Sequence, residues 1–379
     1  MCALIKVTVN EAINDIPSED WNALLGSEYP FLQHAFLRAA EESGSVAPET
    51  GWTPRHLTLY ADGELRGAMP LYEKSHSWGE FVFDWAWAQA YERAGLDYYP
   101  KLVSATPFTP AQCSRLLLRE PDDAETAQNL LAAAVQLAEQ SECSSLHIQF
   151  PMPDELKYCE DLDLKIRKDC QFHWCNHDYK DFDDFLGTFS ARKRKKVKQD
   201  RRRVADAGIT FRRLHGRDMN AASWAVAYQL ISITFMRRGS MPYFDLSFFE
   251  TVANELADSI LVIFAEQQGR PIAAAIFFES PNVLYGRYWG SDGYYDALHF
   301  ETCYYQGIEY CIESGKRSFE PGTQGEHKIA RGFTPTQTYS AHWLRHPQFF
   351  AAIGEYLAEE SRHVDRYMDA VDQHSPYRE

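Results

Sequence analysis

The chain has 379 residues, 45% hydrophobic and 14% aromatic, which is core material for more than one domain and excludes an unfolded polypeptide. A formal charge of −16 excludes a general nucleic-acid binder, and no apolar run reaches bilayer length. With no cationic-then-apolar leader at the start and eight cysteines of no repeated spacing, a cytoplasmic protein with free thiols and no membrane span is expected.

In chain order, residues 6–9 alternate as a strand, and 16–21 open a short helix with Ser18 as its cap. A second helix over 31–43 stops at Gly44. Residues 56–60 are a strand, Asp62-Gly63 a hairpin turn, 65–74 the return and 80–87 a third strand. At its end Asp84, Trp85 and Trp87 run into Gln89, Tyr91, Glu92, Arg93, Tyr98 and Tyr99. This is either a wall that stacks on an acceptor or an aromatic core beside a surface loop. Leu130, Ala134, Leu137 and Ala138 share one face of a helix over 122–139, and a strand at 145–150, a short helix at 154–159 and a strand at 170–175 follow. Cys170, His173, Cys175 and His177 alternate along that last strand and point to opposite faces, so no metal site is expected.

An acidic, aromatic linker at 179–189 leads to the densest charge in the chain. From Arg192 to Arg203 nine residues are basic and one is acidic, which leaves about −24 for the remainder. The segment is expected to be helical, docked by a thin strip of Phe189, Val197 and Val204. Arg192, Lys195, Lys196 and Lys198 then cover its open side, as a seat for phosphates or as a solvated face. A strand at 209–214 and a helix at 218–236 follow, then a loop in which Arg237 and Arg238 offer a further anion contact. A helix at 248–256 precedes a meander of strands at 260–266, 272–279 and 283–289. This meander repeats the order seen at 56–87, with two helices and a strand before it and helix and strand after it. The same order twice indicates two copies of one fold. The domains are expected at 1–178 and 207–379, with 179–206 as linker and basic helix.

Gly290-Ser291-Asp292-Gly293 turns into a helix over 297–314 that ends at Gly315. Phe300, Tyr304, Ile308, Cys311 and Ile312 form its buried stripe, with Glu301 and Tyr305 at the edge. A short strand ends at Glu320, and the loop PGTQGEHKIARGF gathers Gln324, Glu326, His327, Lys328 and Arg331 between glycines. So many different hydrogen-bonding groups in one loop read as a site held by a rigid scaffold, although a solvated connection has the same composition. A helix over 346–372 closes the chain.

YGRYWG (285–290), FETCYYQGIEYCIESG (300–315) and FEPGTQGEHKIARGF (319–333), with residues 81–110, SARKRKKVK (190–198) and RRGSMPYF (237–244), resemble the FemAB-like acyltransferases. These are the branch of the Gcn5-related N-acetyltransferase (GNAT) superfamily described as predicted N-acyltransferases or peptidoglycan biosynthesis proteins. The resemblance covers nearly the whole chain. It implies an α/β fold of tandem GNAT-like domains with mixed, mostly antiparallel sheets flanked by helices. It also implies an N-acyltransferase in which an amine attacks an ester or thioester directly, which needs a base, oxyanion donors and an acid for the leaving group. On that reading Glu326 or His327 is the base, with Glu301 in reserve, and Tyr304 or Tyr305 is the acid. Backbone N–H groups at the end of strand 284–289 serve the oxyanion. Arg287, Lys328 and Arg331 bind an anionic group, and Asp84, Trp85, Trp87, Tyr91, Tyr288 and Gln324 contact substrate.

The chain lacks the Arg/Gln-x-x-Gly-x-Gly/Ala run with which acetyl-CoA users of the superfamily cradle a pyrophosphate. No tightly bound cofactor is expected. The acyl donor is a co-substrate, with aminoacyl-tRNA or another carrier preferred to acyl-CoA, and the acceptor is a small molecule or cell-wall precursor. The contrasting reading is a non-catalytic protein that binds a nucleotide, RNA or cell-wall precursor on a degenerate tandem fold.

Overall fold

The computed structural model describes residues 5–25, 29–323 and 325–378 and has the expected α/β architecture in two units, with mostly antiparallel sheets flanked by helices. One unit comprises residues 1–169 and 337–366, the other 170–336 and 367–379. The boundaries therefore differ from those expected. Residues 179–206 are part of the second unit, and most of the C-terminal helix belongs with the first. Among the described residues no helix is long and apolar enough to cross a membrane.

The first unit runs β1 (Ile5–Asn10), α1 (Ser18–Asn22), α2 (His34–Glu42), β2 (Trp52–Pro54), β3 (His56–Ala61), β4 (Glu64–Met69) and β5 (Tyr72–Lys74). It continues through α3 (Trp85–Arg93), β6 (Lys101–Ser104), β7 (Leu117–Leu118), α4 (Ala124–Gln140), β8 (Ser145–Gln149) and α5 (Leu156–Asp161). β9 (Lys165–Cys175) carries the chain into the second unit. There α6 (Phe182–Gly187), α7 (Ala191–Asp206), β10 (Ile209–His215), α8 (Ala221–Arg237), α9 (Leu246–Glu255), β11 (Ile260–Gln267), β12 (Arg270–Glu279) and β13 (Val283–Ser291) follow. A helix over 298–314, α10, and β14 (Ser318–Glu320) complete it, and β15 (Thr334–Leu344) and α11 (Pro347–Asp372) end the chain.

In the first unit β3 pairs antiparallel with β1 and β4. β5 pairs antiparallel with β2 and β6, β6 runs parallel to β8, and Ser340–Leu344 of β15 pair antiparallel with β8. The third strand expected at 80–87 is not formed. The backbone turns helical at Trp85, because Trp87 and Tyr91, four residues apart, bury one face with Tyr98 and Leu344. Ser18 is the first helical residue of α1, preceded by Pro17, rather than a side-chain cap.

In the second unit β10, β11, β12 and β13 form an antiparallel meander, β14 lies parallel to β13, and β9 pairs antiparallel with β14. α10 packs Tyr304, Tyr305, Ile308 and Cys311 into a core with Leu284, Phe277 and Phe319. α8 lies so close to β13 that a Cβ on Gly290 would stand 1.9 Å from the Leu230 carbonyl oxygen. The basic α7 docks by Val197, Asp200 and Val204, and Arg201 reaches Glu301 and Glu309.

Candidate active site

β13 pairs with β14 only from Val283↔Ser318 to Tyr285↔Glu320, and Pro321 then takes the chain away. On its other edge the register with β12 slips: Phe277 faces Gly286 and Ile276 faces Tyr288, so Arg287 has no partner residue on β12. Such a bulge reverses which face the following side chains take. Leu284 points into the α10 core, whereas Tyr288 packs against Phe235 and Phe249. Where the strands part there is a cavity of about 190 Å³ lined by Phe235 and Arg238, by Arg287, Tyr288 and Trp289, and by His299, Cys303 and Tyr304. The stretch 301–305 of α10 is a π turn, which adds a residue to one turn of the helix that carries Cys303 and Tyr304.

Tyr304 Oη lies 2.9 Å from His327 Nε2. The loop holds that imidazole closely, since a Cβ on Gly325 (φ +113°) would meet it at 2.2 Å. Burial first, then Arg331 and Lys328, lower the His327 pKa, so the ring is neutral at physiological pH. Burial also raises the Tyr304 hydroxyl above its ordinary value. Arg331 sits 3.4 Å over the Phe300 ring and donates to the His327 carbonyl oxygen at 2.6 Å. Lys328 is buried, donates from Nζ to the Gly322 carbonyl oxygen at 2.5 Å, and is lowered to about 7 by burial and by Arg287. Glu320, at the end of β14, is raised to about 7 by burial against the pull of Arg287.

Of the residues expected at the site, Tyr304, Arg287, Tyr288 and Arg238 line this cavity, and His327 adjoins it through Tyr304. Glu301 does not: it is buried and tied to Arg201 and Gln306, which suits an ion pair rather than a base. Tyr305 donates to Asp200 at 3.3 Å, and Glu326 accepts from Tyr367 at 3.0 Å. Gln324 lies outside the described residues. Asp84, Trp87 and Tyr91 are buried inside the first unit, Asp84 on Lys101 and Tyr98, and Trp85 packs edge-on against Trp78. They form core in that unit rather than a stacking wall. On α7, Lys196 pairs with Asp200 and Lys198 with Asp183, while Arg192 and Lys195 are exposed. Arg237 donates to the Asp292 carbonyl oxygen at 3.3 Å. Along β9 His173 is buried and Cys175 exposed, and among the described residues no three His, Cys, Asp or Glu are grouped as metal ligands. His299, Cys303 and Glu320 were not singled out by sequence, because none of them stands in a spaced motif.

Residues 12–379 match the FemAB-like family, described as peptidoglycan biosynthesis/recognition. No curated protein matches the sequence. Among solved structures the chain is similar to FemX, with a TM-score of 0.56 and 12% identity over 92% of this chain and 100% of that one. It is also similar to the C-terminal domain of a putative lysylphosphatidylglycerol synthetase from Agrobacterium fabrum (TM-score 0.54, 11% identity, 90% of this chain and 96% of that one). L-PGS from Bacillus licheniformis gives 0.51 at 12% identity, covering 85% and 96%. At such identities the structural likeness is one of fold, and the family rests on the sequence match. On that sequence match, which spans nearly the whole chain, the protein belongs to the FemAB-like family.

Proposed function

We propose that the protein is an N-acyltransferase that moves an acyl group from an ester-linked carrier to an amine, with the reacting carbonyl in the cavity between β13 and β14. The observation that carries this reading is the Tyr304–His327 pair, with one hydroxyl on the cavity wall and a neutral imidazole 2.9 Å behind it. The amine nitrogen bonds to the carbonyl carbon as the ester C–O bond breaks. The amine proton passes to the Tyr304–His327 pair, which returns it to the departing oxygen. Backbone N–H groups of β13 beyond Tyr285, where β14 no longer pairs, are the donors for the oxyanion.

Aminoacyl-tRNA is the favoured donor. A coenzyme A pyrophosphate needs a helix N-terminus free of negative charge. The turn before α10 instead carries Asp292 and Asp296, held by Arg270 at 2.8 Å and Arg203 at 3.0 Å. The exposed Arg192 and Lys195 of α7 suit the phosphates of a tRNA. The family's description favours a cell-wall precursor as acceptor. The test is turnover of aminoacyl-tRNA and acyl-CoA panels with amine acceptors by the wild type, Tyr304→Phe and His327→Ala. Aminoacyl transfer is expected, with kcat lowered about 10²–10⁴-fold in His327→Ala. Turnover unchanged in both variants would remove the pair from the mechanism, and no turnover with any donor would favour a binding protein.

A further inference from the structure

The charge around the cavity is one-sided. Arg287 and Arg238 line it, and no Asp or Glu is among the described residues that do, in a chain whose formal charge is −16. His299 senses the same field: burial first, then its basic neighbours His327, Arg331, Arg238 and Lys328, hold it down at about 4. The Glu320 carboxyl, coupled to Arg287, is raised to about 7 by burial. Phe235, Tyr288 and Trp289 add aromatic walls.

At about 190 Å³ the cavity has room for an acyl chain of a few carbons.

Resting on the transfer reaction proposed above, we infer that this cavity selects an acyl group that carries its own carboxylate, such as an acidic aminoacyl or short dicarboxylic acyl group, and rejects cationic ones. Arg287, on the bulge, meets the carboxylate within the cavity, and Arg238, exposed at the end of α8, closes over it. A guanidinium fork binds such a group with two parallel hydrogen bonds. The methylenes lie against the aromatic walls. The carboxylate is a bystander in the transfer itself: the ester C–O bond breaks, the amide bond forms, and the acid group leaves the site unchanged. A lysyl group would place a side-chain ammonium where that carboxylate sits, beside Arg287 and Arg238, and is disfavoured for that reason.

Binding can be read without turnover, by titration calorimetry of the whole protein with glutarate, the neutral glutaramide and inorganic phosphate. Glutarate is expected to bind at least about tenfold more tightly than glutaramide or phosphate. Arg238→Gln and Arg287→Gln are each expected to weaken it about 10- to 100-fold, the range for a charged hydrogen bond. Arg238 is exposed, so its variant tests the idea even where Arg287→Gln fails to fold. The inference is overturned if glutarate does not bind, if glutaramide binds equally, or if Arg238→Gln binds glutarate like the wild type. It is also overturned if phosphate is the tighter ligand, which would make this a seat for the donor's phosphate. Glutarate binding with no acyl transfer from any donor would instead sink the transferase reading while leaving the acid-selective cavity in place.

Discussion

Lys101 in the first unit and Lys328 in the second are buried to nearly the same degree, at 0% and 1% exposure, yet their environments act on them in opposite directions. Lys101 donates to Ser77 at 2.8 Å, to Glu80 at 2.9 Å and to Asp84. Burial alone would lower its pKa, but the two carboxylates raise it above its ordinary value. Asp84 in turn is drawn down to about 2 by Lys101 and His147 against its own burial. Lys328 has a carbonyl oxygen for a partner and a guanidinium for a charged neighbour, and it falls to about 7. Burial does not decide whether a lysine is structural; the carboxylates enclosed with it do. The cluster around Lys101 encloses its own counter-charges, and the one around Lys328 does not.

The largest expected effect tests that contrast directly. Lys101→Met leaves Glu80 and Asp84 buried without their cation and should lower the free energy of unfolding by about 3–5 kcal/mol in urea titrations. Lys328→Met removes a charge that had no carboxylate beside it, and should change stability by about 1 kcal/mol or less. Equal losses from the two changes would break the comparison. A pH series sharpens it. With the folded pKa of Lys328 near 7 and the ordinary value 10.5, the unfolded chain holds a proton between these limits that the folded chain lacks. The wild type should therefore gain stability relative to Lys328→Met as pH rises from 7 to 10. The raised pKa of Lys101 has the opposite sign: its stabilisation is present below the ordinary value and is lost as pH climbs through the folded one. Parallel pH slopes for the two variants would show that the environments do not differ. The smallest effect belongs to α7, where Arg192→Ala with Lys195→Ala should change stability by less than about 0.5 kcal/mol. The same pair should reduce the salt slope of tRNA binding by roughly 1–2 units, and an unchanged slope would take α7 out of the donor site.

Much of the second unit was legible in the sequence. The meander at 260–291, the helix stop at Gly315 (φ +70°) and the docking strip of Phe189, Val197 and Val204 all follow from local periodicity and turn chemistry. What escaped depended on distant partners. The bulge at Arg287 exists only relative to β12, and YGRYWG reads equally well in either register. The π turn at 301–305 shifts the helical wheel by one residue, so a regular 3.6 spacing gave no reason to single out Cys303. Thr334, Thr336 and Thr338 begin a strand alternation, but that strand pairs, over Ser340–Leu344, with β8, far earlier in the sequence. Trp85 and Trp87 fit a period of two as well as they fit a helix, and the inward pairing of Trp87 with Tyr91 decided it.

The pairing of β15 with β8 also bears on biosynthesis. His147 and His342, adjacent across that pair, are 195 positions apart in the chain. While the polypeptide emerges from the ribosome, β8 waits with one edge bare until residue 344 arrives, so the unit that begins first is among the last to close. A stop codon between residues 170 and 336 would leave that edge open, and a bare strand of this kind is a template for aggregation.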